Sequence, residues 1–271
     1  FVSVFRGNPV ARTRRRHART MPRNHRVRGA CRMEGRDRAP VLPHVTRAGR
    51  SRNVPGLLPR LPGRPPELLE AYMDYHERMM PYYRDNARRL FGARGIALPA
   101  HSSTHGWNIH FDEEWCLSFW TGGAGWASGI LYDYYRYTGE EQYLEEHIYP
   151  FMKESALFYE DFLFEGEDGK YVFSPSYSPE NTPANSNSQA AVNATMDVMI
   201  AKELLRNCIE AGRILDEDPQ QLVKWQEMLN KMPEYRINED GALAEWIPEK
   251  LKDNYSHRHV SHLYALFEMI S

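Results

Sequence analysis

The chain has 271 residues, 42% apolar and 26% charged, with a formal net charge of −2; that is ordinary globular composition, sufficient for a sizeable core in one large domain or two small ones. No window approaches ~20 consecutive apolar residues, and no apolar run follows the Arg-rich start, so neither a transmembrane helix nor a secretory signal is visible. Cys31, Cys116 and Cys208 are scattered without CxxC spacing, which argues against a disulfide framework or a structural zinc site.

The near-neutral charge hides two unlike parts. Residues 1–66 hold 17 Arg, no Lys, nine prolines and two acids, Glu34 and Asp37, so the remaining residues are net acidic. A stretch of that kind cannot bury enough apolar surface to offset its ordering entropy and is expected to be disordered. Three readings of RTRRRHARTMPRNHRVR stay open: a nucleic-acid-binding arm, an unspecialised extension, and a reading frame translated out of register. The arm lacks stacking aromatics after Phe5 and has no folded basic face behind it.

From Pro66 onward the texture is helical. ELLEAYMDYHERMM sets Leu68, Leu69, Tyr72, Tyr75 and Met79 at helical spacing, with Pro81 expected to kink or end the helix. FWTGGAGWASGILYDYY starts a helix whose first turn, Gly122, Gly123, Ala124 and Gly125, is almost bare of side chains. Close approach of a ligand and tight helix packing explain those glycines equally well.

EEQYLEEHIYPFMKESALFYEDFLF keeps Leu144, Ile148, Phe151, Ser155, Phe158 and Phe162 on one stripe, with a break before Pro150. A turn at Glu167-Asp168-Gly169 predicts one short β-hairpin. Thr195 is expected to cap a helix with Met199, Ile200, Leu204, Cys208, Ala211 and Leu215 inward. Asp218-Pro219 starts another, with Leu222, Trp225, Leu229 and Met232 inward. Short connections at Gly139 and near Asp218 require antiparallel helical hairpins, as in a helical toroid or an α-solenoid, and no fixed repeat period favours the solenoid.

Candidate chemistry falls in the loops. SPSYSPENTPANSNSQ carries a single carboxylate, Glu180. NYSHRHVSHLY gathers His257, Arg258, His259 and His262, fit for a polyhydroxylated or anionic substrate, while their spacing matches no zinc motif. HSSTHGWNIHFDEEW adds His101, His105, His110 and Asp112 among aromatics.

The ordered segments RRLFGARGIALPAH, FWTGGAGW, YDYYRYTGEEQYL, PFMKESALFYEDFL, SPSYSPEN, ATMDVMIAKELL, EDGALAEW and HRHVSHLY together resemble the catalytic domain of glycoside hydrolase family 95, the α-L-fucosidases and α-L-galactosidases. The resemblance covers about residues 67–267. It implies an all-α fold, a partial (α/α)6 toroid of antiparallel helical hairpins with one short β-hairpin, in which residues 1–66 are an extension and 67–271 an incomplete barrel. It implies inverting hydrolysis of terminal α-L-fucose or α-L-galactose from oligosaccharides or glycans, by a soluble bacterial enzyme, cytoplasmic or secreted. No cofactor, metal, nucleic-acid or membrane partner is expected.

Carried across residue by residue, the resemblance makes Glu180 the general acid, kept protonated by burial in the barrel mouth. His257, Arg258, His259 and His262 line the sugar subsite, with His101 and Trp126 further candidates. Asp197 and Glu245 match motif positions to which no role attaches. In this family water is handled by an Asn-x-Asn pair and an Asp in an IDGN-like segment. The pair belongs upstream of RRLFGARG, where residues 1–66 contain none, and the Asp belongs past the histidine cluster; Asn185-Ser186-Asn187 follows Glu180 instead. The start at Phe1 and the Ser271 that interrupts HLYALFEMIS read as a piece of a longer protein, one expected to be inactive alone. Two other readings stay open: another helical-toroid carbohydrate enzyme, of disaccharide phosphorylase or glucoamylase type, and a non-catalytic carbohydrate-binding scaffold.

Overall fold

The computed structural model describes residues 66–102, 104–109 and 116–268. The predicted Arg-rich extension thus lies, Pro66 apart, outside the described residues, as do His110, Asp112 and Trp115.

Helix α1, Pro66–Asn86, is followed by a π-helical turn, Ala87–Phe91. Pro81 neither ends it nor defines its buried face. The proline is exposed, so water can serve the carbonyl that its missing N–H leaves free. The buried stripe is Met73, His76, Tyr83 and Ala87, and the predicted contact residue Leu68 stays 63% exposed. At the end of α1 the buried Asn86 donates to the carbonyls of Ala97 (3.0 Å) and Gly106 (2.8 Å) and accepts from the Asn108 amide (2.9 Å). One amide side chain thereby pins the irregular segment that leads to the next helix.

Helix α2, Gly123–Thr138, ends at Gly139 in the left-handed conformation, φ 71°. Its bare first turn is a packing device. A Cβ on Gly125 would lie 2.5 Å from Cγ2 of Ile200, and one on Gly123 would lie 2.8 Å from the Leu98 carbonyl. The chain then runs through α3, Glu141–Tyr143, a π-helical turn Leu144–Ile148, and α4, Tyr149–Phe162, with Pro150 in the first turn. The predicted stripe is buried along its whole length, from Leu144 and Ile148 through Phe151, Ser155 and Phe158 to Phe162. The expected break is a π-turn, which keeps the apolar face aimed at one neighbour.

Strands β1, Phe164–Glu165, and β2, Tyr171–Val172, form the predicted hairpin, turning at Gly169 with φ +72°. A second antiparallel pair was not foreseen: β3, Ser176–Tyr177, pairs with β4, Ala190–Ala191. Helix α5, Thr195–Ile214, is central, buried on nearly every side and packed against α2, α4 and α6. Thr195 is its first residue and not its cap; its hydroxyl donates to the Ala244 carbonyl at 2.6 Å. Helix α6, Pro219–Lys231, follows a short connection and turns Trp225 into the core, with Met232 just beyond its end. Such a connection between packed helices reverses the chain. A 3-10 turn, Ser261–Leu263, leads into α7, Tyr264–Glu268. No described helix is long and apolar enough to cross a membrane.

Candidate active site

Glu180 sits in the loop that β3 and β4 bracket. The pairing of Ser176 with Ala191 and of Tyr177 with Ala190 closes the ends of residues 178–189, so the proline-broken polar segment is a tethered loop. Gln189 fastens it within. Its Nε2 donates to the Glu180 carbonyl at 3.0 Å, while its Oε1 accepts from the Tyr177 hydroxyl at 2.8 Å.

The Glu180 side chain keeps 23% exposure, and its Oε2 accepts from Nη2 of Arg258, which is 67% exposed. The carboxyl is thus half-buried and ion-paired rather than fully enclosed. The 254–262 segment is brought to it by Ser261, whose hydroxyl donates to the Pro179 carbonyl, and by Asn254, whose Nδ2 donates to the Thr182 carbonyl at 3.1 Å. His257 and His259 stack edge to face at 5.1 Å, and the His259 amide donates to Nδ1 of His257 at 3.1 Å. Burial first, then His259 and Arg258, hold the His257 imidazole below its usual range, while the Glu180 carboxylate pulls the other way. The two loops that the sequence singled out, around Glu180 and around Arg258, thus lie against each other. Among the described residues no group of three or more His, Cys, Asp or Glu is placed to hold a metal ion.

His262 approaches a buried carboxyl. Its Nδ1 stands 3.9 Å from Oε2 of Glu245, and burial depresses its pKa, opposed by Asp253. Trp126, 40% exposed on α2, meets Trp120 (5.7 Å) and Tyr264 (6.1 Å) edge to face. Those two rings belong to a small apolar cluster with Leu117, Tyr177, Met196, Met199 and Ile200, so Trp126 borders the packing that supports β3. His101 is exposed beside Ser102, which bonds Tyr75 of α1.

Two buried carboxylates underlie the loop. Asp197, in the first turn of α5 and fully buried, accepts through Oδ2 from the Ser176 hydroxyl (2.6 Å) and the Tyr177 amide (3.1 Å). Burial raises its pKa to about 7 against those hydrogen bonds and the nearby Trp120. Glu245, 3% exposed, lies in the extended stretch that bridges Trp246 to Ala194. Its oxygens accept from Ser178 Oγ (2.7 Å) and Asn181 Nδ2 (2.6 Å), and burial raises it to about 7 as well, with Asp253 adding to the rise. Sequence reasoning assigned neither residue a role. The available signal was an acid on an otherwise apolar face, in TMDVMI and in ALAEW.

The glycosyl hydrolase family 95 catalytic domain matches residues 64–270. Alpha-L-fucosidase 2 of Arabidopsis thaliana is 31% identical over 215 residues, which cover 76% of this chain and 25% of that protein; the chain thus spans about a quarter of that relative's length. A solved structure described as a kojibiose phosphorylase from the human microbiome superposes with a TM-score of 0.51 at 11% identity, over 65% of this chain and 26% of that one. That last similarity concerns the fold, and agrees with a partial helical toroid.

Proposed function

The chain belongs to glycosyl hydrolase family 95, and from that premise we propose that it carries the acid side of an inverting α-L-fucosidase site, with Glu180 giving its proton to the departing glycosidic oxygen. The observation that carries this reading is the Glu180–Arg258 pair on a tethered loop, beside two polar imidazoles and above a buried scaffold. The relative's activity is on α-L-fucose, and terminal fucose of an oligosaccharide or glycan is the substrate this reading assigns.

Arg258 occupies Oε2, the atom from which an acid delivers its proton. The leaving group's oxygen takes that place when substrate binds, the displaced guanidinium turns its donors to sugar hydroxyls, and the carboxylate, freed of its cation, takes up from solvent the proton that it then donates. His257, whose Nδ1 already accepts from the His259 amide, donates through Nε2 there. In an inverting enzyme the opposite face needs a group that activates water, about 6.5–9.5 Å from the acid. The family's Asn-x-Asn and assisting Asp are not found in this sequence at their places, so on this reading the chain alone holds the acid without its water-handling partner.

Azide, a nucleophile that needs no deprotonation, tests this. With 2′-fucosyllactose in plain buffer the chain is expected to release no lactose. Added azide attacks C1, the C1–O bond breaks, Glu180 protonates the leaving oxygen, and lactose and β-L-fucosyl azide appear. Equal lactose release without azide overturns the incompleteness, and no release with azide overturns the acid assignment.

A further inference from the structure

Two hydrogen bonds from the acid loop converge on Glu245, a residue to which no role is attached. We propose that Glu245 is a positioning residue, whose buried carboxylate holds the acid loop and the Arg258 loop in fixed register through Ser178 and Asn181. The proposal rests on the reading of Glu180 given above, and deepens it.

The geometry is specific. Ser178 and Asn181 flank Glu180, two residues before and one after, and each donates to a different oxygen of Glu245, at 2.7 and 2.6 Å. The loop is thus gripped on both sides of the acid. Asn181 Nδ2 also donates to the Asn254 carbonyl at 2.9 Å, four residues before Arg258. A single amide therefore ties the loop bearing Glu180 to the loop bearing its arginine, and Glu245 orients that amide.

Glu245 itself is anchored from three directions. Its amide donates to Asp253 Oδ1 at 2.9 Å, its carbonyl accepts from the Thr195 amide at 3.0 Å, and Arg236 grips the next two carbonyls, of Trp246 and Ile247, each at 3.0 Å. The start of α5 and the 236–247 turn thus fix the grip, and no movable surface side chain is involved. A solvated, unpaired site for this carboxylate would be cheaper by its desolvation; the two donors it meets are what the buried location gains.

Protonation state matters to such a grip. An ionised carboxylate makes charge-assisted acceptors of both oxygens, whereas a protonated one loses that charge and holds the Asn181 amide more weakly, the Ser178 hydroxyl reversing to accept its proton. The titratable groups facing it are Asp253, which favours the protonated form, and His262, 3.9 Å from Oε2 and itself held neutral by burial. With its pKa near 7, the grip is complete in alkaline solution and loosens as pH falls through neutrality.

Hydrogen exchange on the intact chain decides the matter. In Glu245→Gln, protection of peptides spanning 176–182 and 253–259 is expected to fall about tenfold, the equivalent of one lost hydrogen bond, while α4 keeps its protection. Wild-type protection in both peptides, corrected for intrinsic rates, is expected to decline from pH 8 to pH 6, and the variant to show no such decline. Ser178→Ala, which breaks one arm from the loop side, is expected to loosen 176–182 even if the Gln variant folds poorly. Unchanged protection of both peptides in Glu245→Gln and in Ser178→Ala, or an unchanged pH response in the Gln variant, overturns the proposal. Azide-dependent turnover is read in parallel: its absence in the wild type sinks the fucosidase reading, whereas the exchange data judge the positioning role alone. If both stand, Glu245→Gln is expected to lower kcat with little change in KM, since the sugar's own contacts remain.

Discussion

Asp197 shows how a residue that touches no substrate can set the behaviour of a site. It is a carboxyl with no exposure, and its Oδ1 lacks a hydrogen-bond partner among the described residues. Its pKa is raised to about 7 from 3.8, so the folded state prefers the neutral acid. Ionisation therefore costs stability in full above about pH 7 and nothing below the unfolded value near 4, and the cost disappears as pH falls between them. His76, buried and lowered to about 4, works in the opposite sense over pH 6.5 to 4, because its stabilisation is lost as acid protonates it. A difference between variants cancels that histidine. Asp197→Asn, which keeps the shape and removes the charge, is expected to gain on wild type by on the order of 3 kcal/mol in urea melts at pH 8 relative to pH 4.5. An equal stability difference between the two proteins at pH 8 and pH 4.5 would show instead that the carboxyl is not ionised at a cost.

Among the elements, the helices with a clear stripe were legible and the exceptions have physical causes. The run from Leu144 to Phe162 is buried where its periodicity places it, because one face of a helix meets one neighbour. Helix α1 misled at both ends: Pro81 falls on the exposed side, and Leu68 does too, since spacing alone cannot say which of two half-apolar stripes meets the core. The second strand pair escaped notice because each strand is two residues long and carries no alternation. Glu180, Arg258 and His257 were legible as polar loop residues, whereas an acid on an apolar face, in TMDVMI and ALAEW, marks Asp197 and Glu245 as unusual without saying which loop they support. The glycines of α2 left two readings open, and geometry decides between them. Gly125→Ala is expected to destabilise by about 1–3 kcal/mol through overpacking on Ile200, outweighing the roughly 0.5–1 kcal/mol that alanine gains in a helix. In an Ile200→Ala background, where Cγ2 is gone, chemical denaturation should show that penalty shrink or change sign.

At the scale of the whole molecule, the family match begins at residue 64, and the net-positive segment lies before it. We propose that the segment before Pro66, where α1 begins, takes no part in the helical fold. A chain starting at Arg64 is expected to keep the unfolding midpoint and the azide-dependent turnover of the 271-residue protein; a lower midpoint or lost turnover would make that segment part of the structure. The account as a whole stands on a proton passing from Glu180 to the leaving oxygen, and the dependence on leaving group measures that step. Azide-dependent turnover of 2′-fucosyllactose, whose leaving alkoxide needs a proton, should be compared with that of α-L-fucosyl fluoride, whose fluoride leaves without one, in wild type and Glu180→Gln. The variant is predicted to lose about 10²–10⁴-fold on the oligosaccharide and little on the fluoride; equal losses on the two substrates, or none on the oligosaccharide, would contradict it.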